Sequence, residues 1–476
     1  MLSEAPGRYA DAAAEGVRGI LEANGADEAA CLVRMGTTVA TNALLERKGE
    51  PTLLVTTRGL GDVLRIGWQS RPDIFARHIV LPEPLHAEVL EVDERVGADG
   101  EVIRPLNEDA ARAGLLAAHK RGLRSVAIVL AHGWKHSAHE AGLAQIAREI
   151  GFDQVSVSHE VAPLIKMVAR GDTTCVDAYL SPVLRRYVDQ AAREMGGAAR
   201  LLFMQSNGGL IDTSRFRGKD AILSGPAGGI VGMAATAEAA GFGRVIGFDM
   251  GGTSTDVSHY AGRFERTSER VVAGVRLTAP MLDIHTVAAG GGSICRFDGS
   301  RLRVGPESAG ASPGPACYGR GGPLTVTDCN LVLGRIRAEA FPRVFGPDGD
   351  QPLDEAATRR AFDRLAAETG QSVEALAEGF LDIAVEHMSR AIRQISIQRG
   401  HDLTGYALAC FGGAGGQHAC RVADALGLDT VLIHPLAGVL SAYGMGLADL
   451  RAIRRTSVEQ PLGDAALDEI ADGLEA

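Results

Sequence analysis

Apolar positions follow two alternating rhythms along the first half of the chain. Ala13, Val17, Ile20 and Leu21 recur at helical spacing within residues 8–25, and the Asn24-Gly25 pair predicts where that helix stops. An apolar run at 31–35 reads as a strand. Gly36-Thr37-Thr38 then opens a helix to Leu45, with Thr37 or Thr38 as its cap and Gly49 beyond its end. Compact apolar runs at 52–57, 88–92, 125–131 and 154–158 predict further strands, and 108–121 and 137–149 predict helices between the later ones. Such alternation implies an α/β layer architecture. A helix over 175–195 leads to a strand over 201–205 and a turn at 206–209.

The second half predicts a helix over 224–240, a strand over 244–248, and a polar-alternating strand over 256–260 that turns at Gly262 into a strand over 263–268. Residues 283–335 are rich in Gly and Pro and predict irregular backbone over much of their length. Helices over 354–368 and 372–396, a strand over 406–411, a helix from Gln417, a strand over 430–433 and a helix over 438–450 complete the pattern. No short-period repeat occurs.

The 476 residues suggest about three domains. With 48 basic and 59 acidic residues the net charge is −11, which disfavours nucleic acid and anionic membranes as partners. No apolar run long enough to span a membrane occurs, and Glu4, Arg8, Asp11 and Glu15 interrupt the amino end where a signal peptide needs an apolar core, so the cytoplasm is the expected compartment. The seven cysteines form no C-x-x-C pair and read as reduced thiols. The 60 glycines are about one residue in eight, against a usual ~7%. Their clusters, at 206–209, 224–232, 250–252, 290–292, 309–322 and 412–416, locate the candidate chemistry.

Asp249-Met250-Gly251-Gly252-Thr253-Ser254-Thr255-Asp256 leaves one predicted strand and enters another. Gly251 and Gly252 let backbone N–H groups approach phosphate oxygens, and Thr253, Ser254 and Thr255 add hydroxyl donors. Asp249 and Asp256 could then hold Mg²⁺, directly or through water. A plain polar β-turn is the competing reading; the run is neither a Walker loop nor a dinucleotide fingerprint. Phe411-Gly412-Gly413-Ala414-Gly415-Gly416-Gln417-His418 also follows an apolar strand, and its bare backbone could lie against a purine or ribose or merely pack a helix on a strand. Ser224 to Gly229 faces either a phosphate or another backbone. Asp283 and His285, two apart in a presumed strand and followed by Gly290-Gly291-Gly292-Ser293, share a face suited to a metal or a polarised imidazole, though such a pair is commonly structural. Thr37, Thr38, Thr41 and Asn42 could bind phosphate or substrate; capping accounts for only one or two of them. His132, His136, His139 and Glu140 read as a solvated surface, not a zinc site. No G-x-S-x-G elbow and no Cys–His spacing specifies a covalent nucleophile.

In this order the segments 36–47, 204–210, 224–229, 249–256, 283–294, 308–320 and 411–420 resemble the hydantoinase A/5-oxoprolinase family. Arg71-Pro72-Asp73-Ile74-Phe75, Leu90 to Val96, Phe341 to Pro347 and Gly416-Gln417-His418 are most similar to the ATP-binding half of 5-oxoprolinase. The resemblance implies an actin/Hsp70/sugar-kinase-like (ribonuclease H-like) ATPase fold. It divides the chain into an N-terminal region at 1–200, an ATP-binding region at 201–455 and a tail at 456–476. It further implies ATP-dependent opening of a cyclic amide, 5-oxoproline to glutamate with ADP and phosphate, with N-methylhydantoin hydrolysis, ketone carboxylation or a non-catalytic nucleotide-binding remnant as alternatives. Asp249 and Asp256 with Mg²⁺ would manage the phosphates, residues 411–418 would lie near the adenosine, and Thr37, Thr38, Asn42 or Asp283 and His285 would approach the lactam. The expected partner is a hydantoinase B-type subunit or domain. The family usually opens with another D-x-G-G-T loop, which residues 1–35 lack, so the fold is expected to be N-terminally incomplete.

Overall fold

The computed structural model describes residues 12–25, 31–68, 74–195, 200–455, 457–459 and 470. The expected start of the first helix at Arg8, the Arg71-Pro72-Asp73 segment and most of the tail after Arg455 lie outside the described residues; within them the first helix is Ala12–Asn24. The chain divides into two compact units, one formed by Met1–Gly225, Arg266–Met281 and Asp449–Ala476, the other by Pro226–Glu265 and Leu282–Ala448.

The first unit contains a four-stranded parallel sheet in the order His86–Val92, Thr52–Thr57, Ser125–Val129, Gln154–Val157. Every residue of Thr52–Thr57 and of Ser125–Val129 is buried, because helices cover both faces of a parallel sheet. The period of two then sorts the side chains. Leu53, Val55, Val126 and Ile128 pack towards the helices Glu108–Lys120 and Ala138–Ile150, while Leu54, Ala127 and Val129 join the cluster around Val176 and Leu180. A smaller sheet pairs Leu32–Met35 in parallel with Arg200–Met204, which pairs antiparallel with Leu210–Asp212. Only Arg266–Thr267 is extended in the expected 263–268 strand. The last helix ends at Leu447 rather than 450, because the backbone around Asp449 and Arg451 exchanges hydrogen bonds with Leu210 instead of continuing the helix.

The helix expected over 175–195 is longer, Met167–Glu194, and carries Pro182 in its interior. A proline there cannot donate to the carbonyl four residues back, so the Ala178 oxygen loses its helical partner. The Ser125 hydroxyl donates to that oxygen at 2.6 Å. Ser125→Ala orphans a buried carbonyl and is expected to cost about 1–2 kcal/mol in denaturant unfolding. In the Ser125→Ala/Pro182→Ala double variant the restored N–H serves Ala178, so the effects should couple by about 1 kcal/mol; additivity would remove this account.

The second unit is built on a five-stranded mixed sheet in the order His285–Val287, Thr255–Ala261, Arg244–Met250, Ala407–Phe411, Thr430–Ile433. Its first two junctions are antiparallel and its last two parallel. The helix Val373–Ile395 lays Leu376, Phe380, Met388 and Ile392 into a core with Phe248, Val257 and Leu408. Residues 283–335 are more regular than composition suggests. Ser293–Phe297 and Leu302–Ser308 form a hairpin, and Val326–Val332 is a helix whose Asp328 accepts from the backbone N–H of Ala316, Cys317 and Thr325. Of the two readings of Ser224 to Gly229, the helix Ser224–Ala239 shows close packing. A Cβ at Gly228 would stand 2.7 Å from the Ser441 carbonyl oxygen, and one at Gly232 2.7 Å from that of Leu440.

Candidate active site

The adjacent parallel strands Arg244–Met250 and Ala407–Phe411 lie where the sheet changes direction: the chain leaves the first towards one edge and the second towards the other. In open α/β sheets such a switch point leaves a crevice beyond the carboxyl ends of the strands. Asp249 to Asp256 and Phe411 to His418 are the loops at those ends.

Asp249 and Asp256 face each other directly across the antiparallel pair. Thr286, on the next strand, donates its hydroxyl to Asp256. Burial, and then the negative charge of Asp256, push the Asp249 carboxyl up to about 7. Two carboxylates facing each other at one strand end are the kind of oxygen donors a hard divalent cation requires. The neighbouring backbone also leaves room: Gly412 at φ +83° places its bare Cα beside Asp249 and 2.5 Å, measured from an added Cβ, from the Met250 carbonyl oxygen; an added Cβ at Gly229 would lie 3.5 Å from Asp249 Oδ2. The donor set therefore fits Mg²⁺.

The hairpin loop is held from behind. Gly291 N–H donates to the Gly251 oxygen at 3.1 Å and Gly292 N–H to that of Gly252 at 2.6 Å. A Cβ at Gly290 would meet the Thr253 carbonyl carbon at 2.6 Å, so this approach requires glycine. Gly252 and Thr253 are exposed at the tip, and Ser254 is half-buried. Among the described residues no internal acceptor receives the Gly252 or Thr253 N–H. A rigid turn presenting such donors is a nest for an anion. Thr255 is buried and donates its hydroxyl to Ala289, so it braces the loop.

The second glycine loop splits in function. Gly412 makes room for Asp249 and Gly415 packs on Cys410, whereas Gly413 and Gly416 are exposed with open space before them. Gln417 is half-buried. His418 is not at the loop surface: it is 1% exposed, Asn330 Nδ2 donates to its Nε2 at 3.2 Å, and burial together with Arg335 and Arg421 pushes it down to about 4. A neutral ring committed to the interior is a core histidine.

Asp283 and His285 do not share a strand face, because the backbone is irregular at 283–284, between Met281–Leu282 and His285–Val287. The Asp283 carboxylate pairs with Arg399, which also reaches Glu265 at 3.4 Å. His285 is half-buried, opposite Val257. The structure thus brings Asp249, Asp256 and Thr286 together and commits Asp283 elsewhere. Thr286 escaped the sequence reading; its signal was its place in a short His-Thr-Val strand beside the acidic one. Three ligand atoms of His259, Glu265 and His401 lie within 4.8 Å of one another, and the two imidazoles stack at 4.0 Å. His259 Nδ1 and His401 Nε2 both approach Glu265 Oε1, at 2.7 and 3.2 Å, so a shared carboxylate oxygen holds the cluster together.

In the first unit Thr37 is buried, and its hydroxyl accepts from Val39 N–H at 3.1 Å. Thr41 accepts from Leu223 N–H at 3.2 Å, while Thr38 and Asn42 are exposed and 3.4 Å apart. Thr38 precedes the helix Val39–Leu45 without a side-chain cap bond. Glu140 is wholly buried, accepting from Leu130 N–H, Ser158 Oγ and His159, and His139 pairs with Glu94.

Paired acidic and glycine-rich loops thus meet at the switch point of a mixed α/β sheet. The hydantoinase/oxoprolinase family model matches residues 170–454, and the model of that family's N-terminal region matches residues 1–151. The chain belongs to the hydantoinase/oxoprolinase family. It is 45% identical to 5-oxoprolinase 1 of Arabidopsis thaliana over 99% of its own length and 41% of that protein, and 36% identical to caprolactamase subunit alpha of Pseudomonas jessenii over 91% and 64%. The crystal structure of ATP-dependent caprolactamase from Pseudomonas jessenii superposes with a TM-score of 0.82 at 34% identity, covering 99% of this chain and 71% of that one. The nucleotide-free acetone carboxylase structure gives 0.73 at 25% identity, covering 92% and 65%. The chain spans about two fifths of the length of the 5-oxoprolinases it matches. The expectation of an N-terminally incomplete fold is not supported by these matches. Among the described residues no helix is long and apolar enough to cross a membrane.

Proposed function

We propose that this chain is the ATP-handling part of an enzyme that opens a lactam, with 5-oxoproline as substrate and glutamate, ADP and phosphate as products. The observation that carries the reading is the Asp249–Asp256 pair facing across two strands beside a loop tip with unused N–H donors. The switch-point placement of both loops supports an ATPase fold of the actin, Hsp70 and sugar-kinase kind.

A neutral amide carbonyl is a poor electrophile. Transfer of the γ-phosphoryl group to its oxygen, with ADP leaving, gives an O-phosphorylated imidate. One water then adds to the former carbonyl carbon, and the ring C–N bond breaks as the nitrogen takes a proton and leaves an acyl phosphate. A second water hydrolyses that to the carboxylate and phosphate. Asp249 and Asp256 would hold Mg²⁺, which when bound supplies charge neutralisation on the phosphates. Gly252 and Thr253 N–H groups would take phosphate oxygens, and the bare backbone of Gly413 and Gly416 would lie along the nucleoside. Catalysis on this scheme is alignment and electrostatics, without a covalent enzyme intermediate. The caprolactamase relative is described as a subunit, which supports a partner of hydantoinase B type. The seven thiols, none in a disulfide, suit a cytoplasmic enzyme.

ADP release with 5-oxoproline and Mg²⁺, measured on the chain alone and with a hydantoinase B-type partner, tests the proposal. Lactam-dependent turnover with the partner is expected, and nucleotide binding without it would defeat the enzyme reading. The likeness to acetone carboxylase favours ketone carboxylation as second reading. A panel with N-methylhydantoin, and with acetone plus bicarbonate, separates these substrates.

A further inference from the structure

We propose that a cavity wholly within the first unit, where Arg276 and Asp172 converge, binds a small cyclic carboxylate, the lactam acid of the reaction proposed above, on which this assignment rests. The cavity measures about 440 Å³, within the range of small-molecule sites. Its walls are largely apolar, with Leu64, Ile66, Ile79, Leu81, Pro82 and Val275 among them.

The polar groups are few and incompletely satisfied. Arg276 lies with its guanidinium carbon 3.9 Å from the centroid of the Trp68 ring. Its Nε is 3.8 Å from Asp172 Oδ2, too far for a hydrogen bond, and its buried Nη1 finds no acceptor among the described residues. Gly67, at φ +57°, makes the space: a Cβ there would stand 2.9 Å from Arg276 Nη2. The indole face thus holds a planar cation with one donor, Nη1, left without an acceptor among the described residues. A carboxylate matches that fork, with two oxygens for two parallel N–H donors.

Asp172 completes the pattern. Burial raises its carboxyl to about 6 despite the opposing effect of Arg276, whose Nε stays 3.8 Å from it. A lactam N–H is a suitable donor, and its ring methylenes suit the apolar walls. Other groups at the cavity do not add a second buried charge: burial pushes the Cys175 thiol up and the His86 ring down, so both stay neutral. Arg65 and Glu83 also line it. A ligand with one carboxylate, one amide N–H and a short apolar edge therefore answers each feature.

The test uses the full chain. In a Trp134→Phe background Trp68 is the sole indole of the protein, and its emission reports the contact with Arg276. Titrated 5-oxoproline should shift that emission saturably, whereas 2-pyrrolidone, the same ring without the carboxylate, should bind at least tenfold more weakly. Arg276→Met should weaken 5-oxoproline at least tenfold and leave 2-pyrrolidone unchanged. Arg276→Lys, which keeps charge but loses the fork, should fall between and carries the test if the methionine variant does not fold. Calorimetry with a non-hydrolysable ATP analogue should give wild-type affinity in both. Equal binding of the acid and the uncharged lactam, or unaltered 5-oxoproline binding in Arg276→Met, overturns the assignment. Lactam-dependent ADP release that survives Arg276→Met intact would also overturn it while leaving the proposed reaction standing; failure of that reaction would show instead as absent turnover in the wild type with its partner.

Discussion

Asp249→Asn is expected to reduce lactam-dependent ADP release by roughly 10³-fold and, in metal-free protein, to raise stability at pH 8. Both effects come from one carboxylate. Burial and Asp256 raise its folded value to about 7, against about 3.9 in an unfolded chain. The folded protein therefore keeps a proton that the unfolded chain releases first. The resulting stability is fully present below about pH 4 and is lost as pH rises through about 7. That swing is of order 2–4 kcal/mol. Thermal melts in chelator should show wild type losing stability between about pH 4 and 7, with a smaller loss in the asparagine variant, which carries no ionisable group at 249. Adding Mg²⁺ at pH 8 should restore wild type and leave the variant nearly unmoved. A variant with parallel pH dependence and full Mg²⁺ response would remove Asp249 from the metal-binding role.

Gly412→Ala should strongly destabilise the second unit and weaken nucleotide binding. The residue sits at φ +83°, where an L side chain is strained by about 1–2 kcal/mol, and the added carbon would lie against Asp249 and 2.5 Å from the Met250 carbonyl oxygen. Backbone cannot yield as a flexible side chain would, so a total cost of about 2–4 kcal/mol is expected, with ATP affinity falling at least tenfold. Gly413→Ala is the control, since its neighbour space is open. Denaturant unfolding and calorimetry on both variants should separate them. Equal effects at 412 and 413 would mean that the loop acts by general flexibility and not by making room for Asp249.

The predicted and observed elements agree where side-chain period is decided locally. Strand Thr52–Thr57 and helix Val373–Ile395 follow from apolar spacing alone, and the Asp249 to Asp256 turn from glycine and hydroxyl residues between two apolar strands. The Ser293–Ser308 hairpin was hidden because Gly and Pro also occur inside strands where bulges and close approaches need them. Asp283 looked available because its partner, Arg399, lies 116 residues further on. His418 looked like a loop residue because the helical turn that rotates its ring inward depends on Asn330, 88 positions away.

The sequence by itself determined the alternating layers, the glycine turns and the acidic loop, since each depends on the conformational preferences of neighbours along the chain. Only the tertiary structure decided which polar groups have partners. Pairing and burial set by distant residues put Asp256 opposite Asp249, gave Asp283 to Arg399, drew His418 inside and left Arg276 with an unused donor. The cost of burying a charge or an unpaired donor is fixed by three-dimensional surroundings, and one-dimensional spacing does not contain them.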